Sequence, residues 1–205
     1  MRTKYKQWAV DLLVEHPEIV KEKIDLKDEF FAKGNLFVEF GSGKGDFIVN
    51  TALRHPKNKY LAVEKVRTVA GFLTRKLLDS KVENVRVFAN DVALLFDQIP
   101  DNYFEGIFIN FCDPWPKKKH AKRRLTFHAF LDQYYRLLKD GGYLYFKSDN
   151  DGLYEFTLEE IQSSKFKLIS REEDYKFDES IDVLTEYESK FRKLGNKIHR
   201  IVLQK

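Results

Sequence analysis

An α/β fold on a mostly parallel sheet is the class this sequence predicts, and three observations predict it. Short apolar runs alternate with stretches in which apolar residues recur every three or four positions, the pattern of strands joined through helices. A glycine-rich turn, Gly41-Ser42-Gly43-Lys44-Gly45, separates the first clear strand from the helix after it. Acidic residues, Glu39, Glu64, Asp91 and Asp113, stand at or near the carboxyl ends of four successive apolar runs. Open α/β sheets bind their ligands at that edge. The expected architecture is a seven-stranded sheet with helices on both faces.

Residues 1–33 precede the first strand and read as a basic arm, Arg2, Lys4 and Lys6, followed by a short helix around Trp8, Val10, Leu12 and Leu13 that Pro17 stops. Residues 34–205 read as one domain. Its strands are expected at 36–40, 60–64, 85–89, 107–111, 143–146, 166–169 and 198–203. Between them, Ile48 with Ala52, Val66 through Leu77, Phe127 through Leu138, and Leu153 through Ile161 carry helical spacing. Gly141-Gly142 reads as the stop of the third of these helices. The interval 171–197 is too long for an idle connection. It holds Thr185-Glu186-Tyr187-Glu188, with Gly195 as a helix stop, and is expected to be a substrate-binding element.

Composition narrows the class. With 205 residues, 43% of them hydrophobic and 15% aromatic, the chain supports one well-buried core. No run approaches the roughly 20 apolar residues of a membrane span, and no apolar signal region follows the basic N-terminus. The single cysteine, Cys112, has no internal disulfide partner, which points to the cytoplasm. Net charge is only +4, but six of the eight residues from 117 to 124 are Lys or Arg, while 172–188 is rich in acids. A concentrated basic patch says more about nucleic-acid binding than net charge does.

The chemistry concentrates at Asp113-Pro114-Trp115-Pro116 and the cations directly after it. Two prolines stiffen this turn by fixing φ. Trp115 suits two uses, stacking on a base or anchoring the loop. Upstream, the glycine spacing is Gly-x-Gly-x-Gly, not the Gly-x-Gly-x-x-Gly of dinucleotide binders. Four carboxylates at one sheet edge would repel a pyrophosphate. They suit a ligand with ribose, adenine and positive charge, and S-adenosylmethionine has all three and no phosphate.

The stretch Val38-Glu39-Phe40-Gly41-Ser42-Gly43-Lys44-Gly45 resembles the first motif of class I S-adenosylmethionine-dependent methyltransferases. More narrowly, residues 110–125, from Asn110-Phe111-Cys112-Asp113 through Arg123-Arg124-Leu125, resemble the signature of bacterial tRNA (guanine-N7-)-methyltransferases. Ala62-Val63-Glu64, Ser148-Asp149 and Thr185-Glu186-Tyr187-Glu188 extend the likeness over the chain after residue 34. Cys112 departs from it, standing where a small residue such as serine is expected.

The resemblance implies a Rossmann-like class I fold and methylation of guanine N7 at variable-loop position 46 of tRNA, with S-adenosylmethionine as methyl donor. It implies that Glu39, Gly41, Gly43, Gly45, Glu64, Asp91 and Asp113 bind the cofactor, with Asp113 also the catalytic residue. Lys117, Asp149, Thr185, Glu186, Tyr187 and Glu188 are implied to meet the substrate. Lys119, His120, Ala121, Lys122, Arg123 and Arg124 are implied to contact RNA. The expected partner is tRNA, with no membrane and no metal, in a monomer or homodimer. Two alternatives stand beside this reading: an exocyclic-amine nucleic-acid methyltransferase, of whose Asp/Asn-Pro-Pro-aromatic turn Asp113-Pro114-Trp115-Pro116 is a poor copy, and a non-catalytic RNA-binding module on the same scaffold.

Overall fold

A computed structural model describes residues 4–32 and 35–205. The expected domain boundary at residues 33 and 34, and Arg2 of the basic arm, lie outside the described residues. The backbone groups into two compact units, residues 1–100 and 101–205.

The first unit runs α1 (Gln7–Glu15), β1 (Val20–Lys21), α2 (Glu29–Ala32), β2 (Leu36–Phe40), α3 (Asp46–Arg54), β3 (Lys59–Val63), α4 (Arg67–Asp79), β4 (Val85–Phe88) and α5 (Ala93–Phe96). Its strands lie in the order β1-β4-β3-β2, all pairings parallel. Tyr60, Leu61, Ala62 and Val63 of β3 are all buried, so both faces of this strand are covered. On one face α1, α3 and α4 bring Leu13, Ile48, Ala52, Leu73 and Leu77 against Tyr60, Ala62, Val85 and Val87. The helix at the N-terminus is therefore built into the core. It meets α4 so closely that a Cβ on Gly71 would lie 1.9 Å from the Ala9 carbonyl oxygen, a contact only glycine permits.

The second unit runs β5 (Phe104–Asn110), a 3-10 helix (Lys118–Arg123), α6 (His128–Leu137), β6 (Leu138–Ser148), α7 (Asp151–Gln162), β7 (Lys167–Glu172), α8 (Glu186–Lys193) and β8 (His199–Gln204). The order is β5-β6-β8-β7; β5 and β6 are parallel, and β8 runs antiparallel to both of its neighbours. The described pairings are thus mostly parallel, as expected. No helix among the described residues is long and apolar enough to cross a membrane.

Two expectations are corrected. The described residues contain eight strands, not seven; the extra one, β1, is two residues long, too short to show any periodicity. Gly141-Gly142 does not stop a helix. α6 ends at Leu137, and β6 begins at Leu138, opposite Phe104. The glycines fall inside β6 where the register shifts between Phe104 and Gly106. There Gly141 takes φ +78°, and a Cβ on Gly142 would press on the Lys139 carbonyl at 2.9 Å. An irregularity in the β5–β6 pairing, not a helix cap, demands the pair.

Candidate functional site

In the first unit the site residues sit where β2, β3 and β4 end. The turn after β2 places Gly41, Gly43 and Gly45 at φ +76°, +55° and +84°, all in the left-handed region that only glycine enters freely. Gly41 and Ser42 donate their backbone N–H groups to the Val63 carbonyl at 2.9 and 3.0 Å, tying the turn to the end of β3. Glu64 fixes it further. One of its carboxylate oxygens accepts the Gly43 N–H at 3.0 Å and the other accepts the Val66 N–H at 2.8 Å. Glu39 is 2% exposed at the end of β2. Asp91, half-buried, accepts the Ala93 N–H at 3.0 Å as α5 begins and faces Lys65 at 3.9 Å. A Cβ on Gly43 would meet nothing within 4 Å, so its backbone is open to a ligand, whereas one on Gly45 would lie 2.6 Å from Leu73 Cδ1. The first glycine serves access and the second serves helix packing.

In the second unit, β5 ends at Asn110, and Phe111 turns the chain at φ +51°, donating its N–H to the Lys147 carbonyl at 2.9 Å. Asp113 follows, exposed to solvent. Trp115 is also at positive φ, +42°, a conformation that costs about 1–2 kcal/mol for a non-glycine residue. Arg124 holds this strained turn. Its Nε donates to the Pro114 carbonyl at 3.0 Å and its Nη2 to the Trp115 carbonyl at 3.1 Å, while its guanidinium packs 4.2 Å from the Phe156 ring centre. The Trp115 ring takes Arg123 over its face at 5.0 Å and His120 edge-on at 5.7 Å. Trp115 thereby braces the 3-10 helix that carries the cations. Lys117, Lys118, Lys119, Lys122 and Arg123 are exposed. Cys112 is not a nucleophile here: burial, with the Asp113 charge adding to it, pushes its thiol up to about 12, so the thiolate is absent near neutral pH.

The 171–197 interval docks onto the end of β6 through an ion cluster. Lys147, 4% exposed, donates to Asp182 at 2.9 Å and to Glu188 at 2.9 Å. Glu188 is fully buried, and Arg192 grips its second oxygen at 2.7 and 3.0 Å. Arg192 also donates to the Tyr175 carbonyl at 2.8 Å. Thr185 is the N-cap of α8, accepting the Glu188 N–H at 3.0 Å. Tyr187 lies against Phe111, with ring centres 5.0 Å apart, and donates its hydroxyl to Asp149 at 3.1 Å. Burial and the Asp149 carboxylate push the Tyr187 phenol up to about 12, which keeps that donor protonated.

Residues 33–201 match the family described as "Putative methyltransferase". A tRNA (guanine-N(7)-)-methyltransferase of Lactobacillus gasseri is 40% identical to this chain, over 97% of each. The chain belongs to the tRNA (guanine-N7-)-methyltransferase family. Another relative of that name, from Staphylococcus haemolyticus, is 38% identical over 98% of this chain and 96% of its own. The solved structure of an antibiotic-related methyltransferase aligns with 100% of this chain and 96% of that one, with a TM-score of 0.59 at 16% identity. That likeness carries the Rossmann-like α/β fold alone.

Within this member of the tRNA (guanine-N7-)-methyltransferase family, the sequence-predicted residues divide by orientation. Glu186 and Tyr187 are exposed, whereas Thr185 and Glu188 are buried and engaged by the chain's own groups. Among the expected RNA contacts, Lys119, Lys122 and Arg123 face solvent, while Arg124 is committed to the Asp113 turn. Sequence reasoning passed over Lys147, Asp182 and Arg192. The signal for Lys147 was present: a lysine beside Phe146 and Ser148, at the end of an apolar strand, requires a buried partner.

Proposed function

We propose that this protein transfers a methyl group from S-adenosylmethionine to N7 of a guanine in tRNA, at variable-loop position 46. The observation that carries the reading is the full-length relationship to enzymes bearing that name. The cofactor assignment covers Glu39, Gly41, Gly43, Gly45, Glu64, Asp91 and Asp113. Lys117, Asp149 and the segment from Thr185 to Glu188 serve the substrate, and residues 119–123 serve the RNA backbone, with Arg124 holding the Asp113 turn. Residues 34–205 carry the activity, with the 171–197 interval as the substrate-binding element, and the setting is the cytoplasm.

The first unit's edge suits an adenosyl cation. Gly43 leaves open backbone, and Glu64, tied to the turn through the Gly43 and Val66 N–H groups, stands where an acidic residue meets ribose hydroxyls. The bound donor supplies an electrophilic methyl on a sulfonium. Guanine N7 presents a lone pair with no proton on it, so no general base is needed. Asp113 acts by its charge and position: its carboxylate favours the positive charge that moves onto the purine, or holds the purine N–H edge. Thr185 and Glu188 set the α8 segment from within, leaving Glu186 and Tyr187 to face substrate.

The test is labelled S-adenosylmethionine with unmodified tRNA, followed by chain cleavage at 7-methylguanosine. Label should enter tRNA and map to one variable-loop guanine; no incorporation would remove this reading. Label on an exocyclic amine would favour the alternative enzyme. Binding should also be strongly salt-dependent. If four to six phosphates are neutralised by the exposed cations, log affinity falls with log salt at a slope of roughly −3 to −5. A nearly flat dependence, read by filter binding, would exclude the 117–124 block as the RNA grip.

A further inference from the structure

In the cluster around Lys147, Glu188 belongs to the segment assigned to substrate, while Lys147, Asp182 and Arg192 have been given no role in binding or chemistry. Its geometry is specific. Lys147 is the penultimate residue of β6, and its carbonyl accepts the Phe111 N–H while its ammonium reaches Asp182 and Glu188. Its ammonium also lies 5.9 Å from the Phe111 ring centre. One residue therefore touches both the turn that leads to Asp113 and the segment that bears Tyr187. The four charges balance: Lys147 and Arg192 against Asp182 and Glu188, with the lysine and Glu188 out of water. Burying such a set gains little stability over apolar packing, but removing one member leaves an uncompensated charge inside. An arrangement of that kind specifies where a segment sits.

We infer that Lys147 is a positioning residue: it pins residues 178–193 to the ends of β5 and β6, setting Tyr187 beside Phe111 and Asp149 ahead of the Asp113 turn. Without the pin, Asp182 and Glu188 lose the ammonium they share, and the segment leaves its seat. The residues it displaces contact substrate, so the loss falls on substrate engagement. This rests on the proposed tRNA methylation only in its kinetic part.

The experiment compares wild type with Lys147→Met, with Lys147→Met combined with Glu188→Gln, and with Asp182→Asn. Hydrogen exchange across 178–193 should quicken at least about tenfold in Lys147→Met while the strands of the first unit keep their protection. For tRNA, kcat/KM should fall about 10²-fold, the scale of an ångström-level misplacement, with the larger part in KM. S-adenosylmethionine affinity should stay within about twofold. The double variant, in which Arg192 and Asp182 still balance, should regain exchange protection and most of the lost kcat/KM. An unchanged KM and unchanged exchange in Lys147→Met overturn the inference, and so does a double variant worse than the single. If Lys147→Met does not fold, Asp182→Asn decides, with the same changes expected at smaller size; wild-type exchange and KM in that variant overturn the pin. Failure of wild type to methylate tRNA would sink the proposed activity, yet the exchange measurement would still judge the pin.

Discussion

Asp113→Ala is expected to lower turnover about 10²–10³-fold, the scale on which removing one preorganised electrostatic group acts, while tRNA affinity stays within a few-fold. The separation follows from where the groups sit. Asp113 is exposed between two residues at positive φ, Phe111 and Trp115, so its carboxylate is held by the backbone and makes no part of the core. On the proposed reading, the exposed cations that follow it supply RNA affinity independently. The Cys112 thiol, which stays protonated, does not take over its charge. Asp113→Asn then divides the two ways the carboxylate acts. If charge matters, the amide is as poor as alanine. If an acceptor for the purine N–H edge matters, the amide oxygen retains part of the rate. Single-turnover rates with saturating donor, beside filter-binding affinities, give both readouts. Wild-type turnover in Asp113→Ala would remove the residue from the chemistry.

How much of this was legible in the chain depends on what kind of physics set each feature. The inner strands after residue 34, and the glycine turn, were readable because burial on both faces writes continuous apolar runs and positive φ writes glycine. Gly141-Gly142 misled for the same reason: the residue type reports a left-handed backbone and a close approach, which a bulge requires as much as a helix cap does. β1 exists only through its pairing with β4, a long-range fact that two residues cannot announce. The 171–197 interval shows the deeper gap. Thr185-x-x-Glu188 has the spacing of a helix start, and Thr185 does cap α8. The carboxylate of Glu188, however, turns to Lys147 and Arg192, and no local pattern foretells a partner 41 residues away.

Arg124 marks the sharpest division between reading a charge and locating it. Within a run of cations it looks like one more phosphate contact, and its neighbours Lys122 and Arg123 are exposed in that way. Two of its own donors go to the carbonyls of Pro114 and Trp115. Arg124→Lys keeps the charge but replaces a planar fork by a single ammonium that cannot serve both carbonyls along the same directions while stacked on Phe156. The Trp115 conformation then loses its restraint, and Asp113, two residues away, loses its position. The expected result is a fall in kcat of about 10²-fold with the salt slope of tRNA binding unchanged. Lys122→Ala should do the reverse, lowering the slope by about one unit while saturating turnover holds. If Arg124→Lys retains wild-type kcat, or lowers the salt slope as Lys122→Ala does, Arg124 belongs with the phosphate contacts and the brace on the Asp113 turn must come from the two prolines alone.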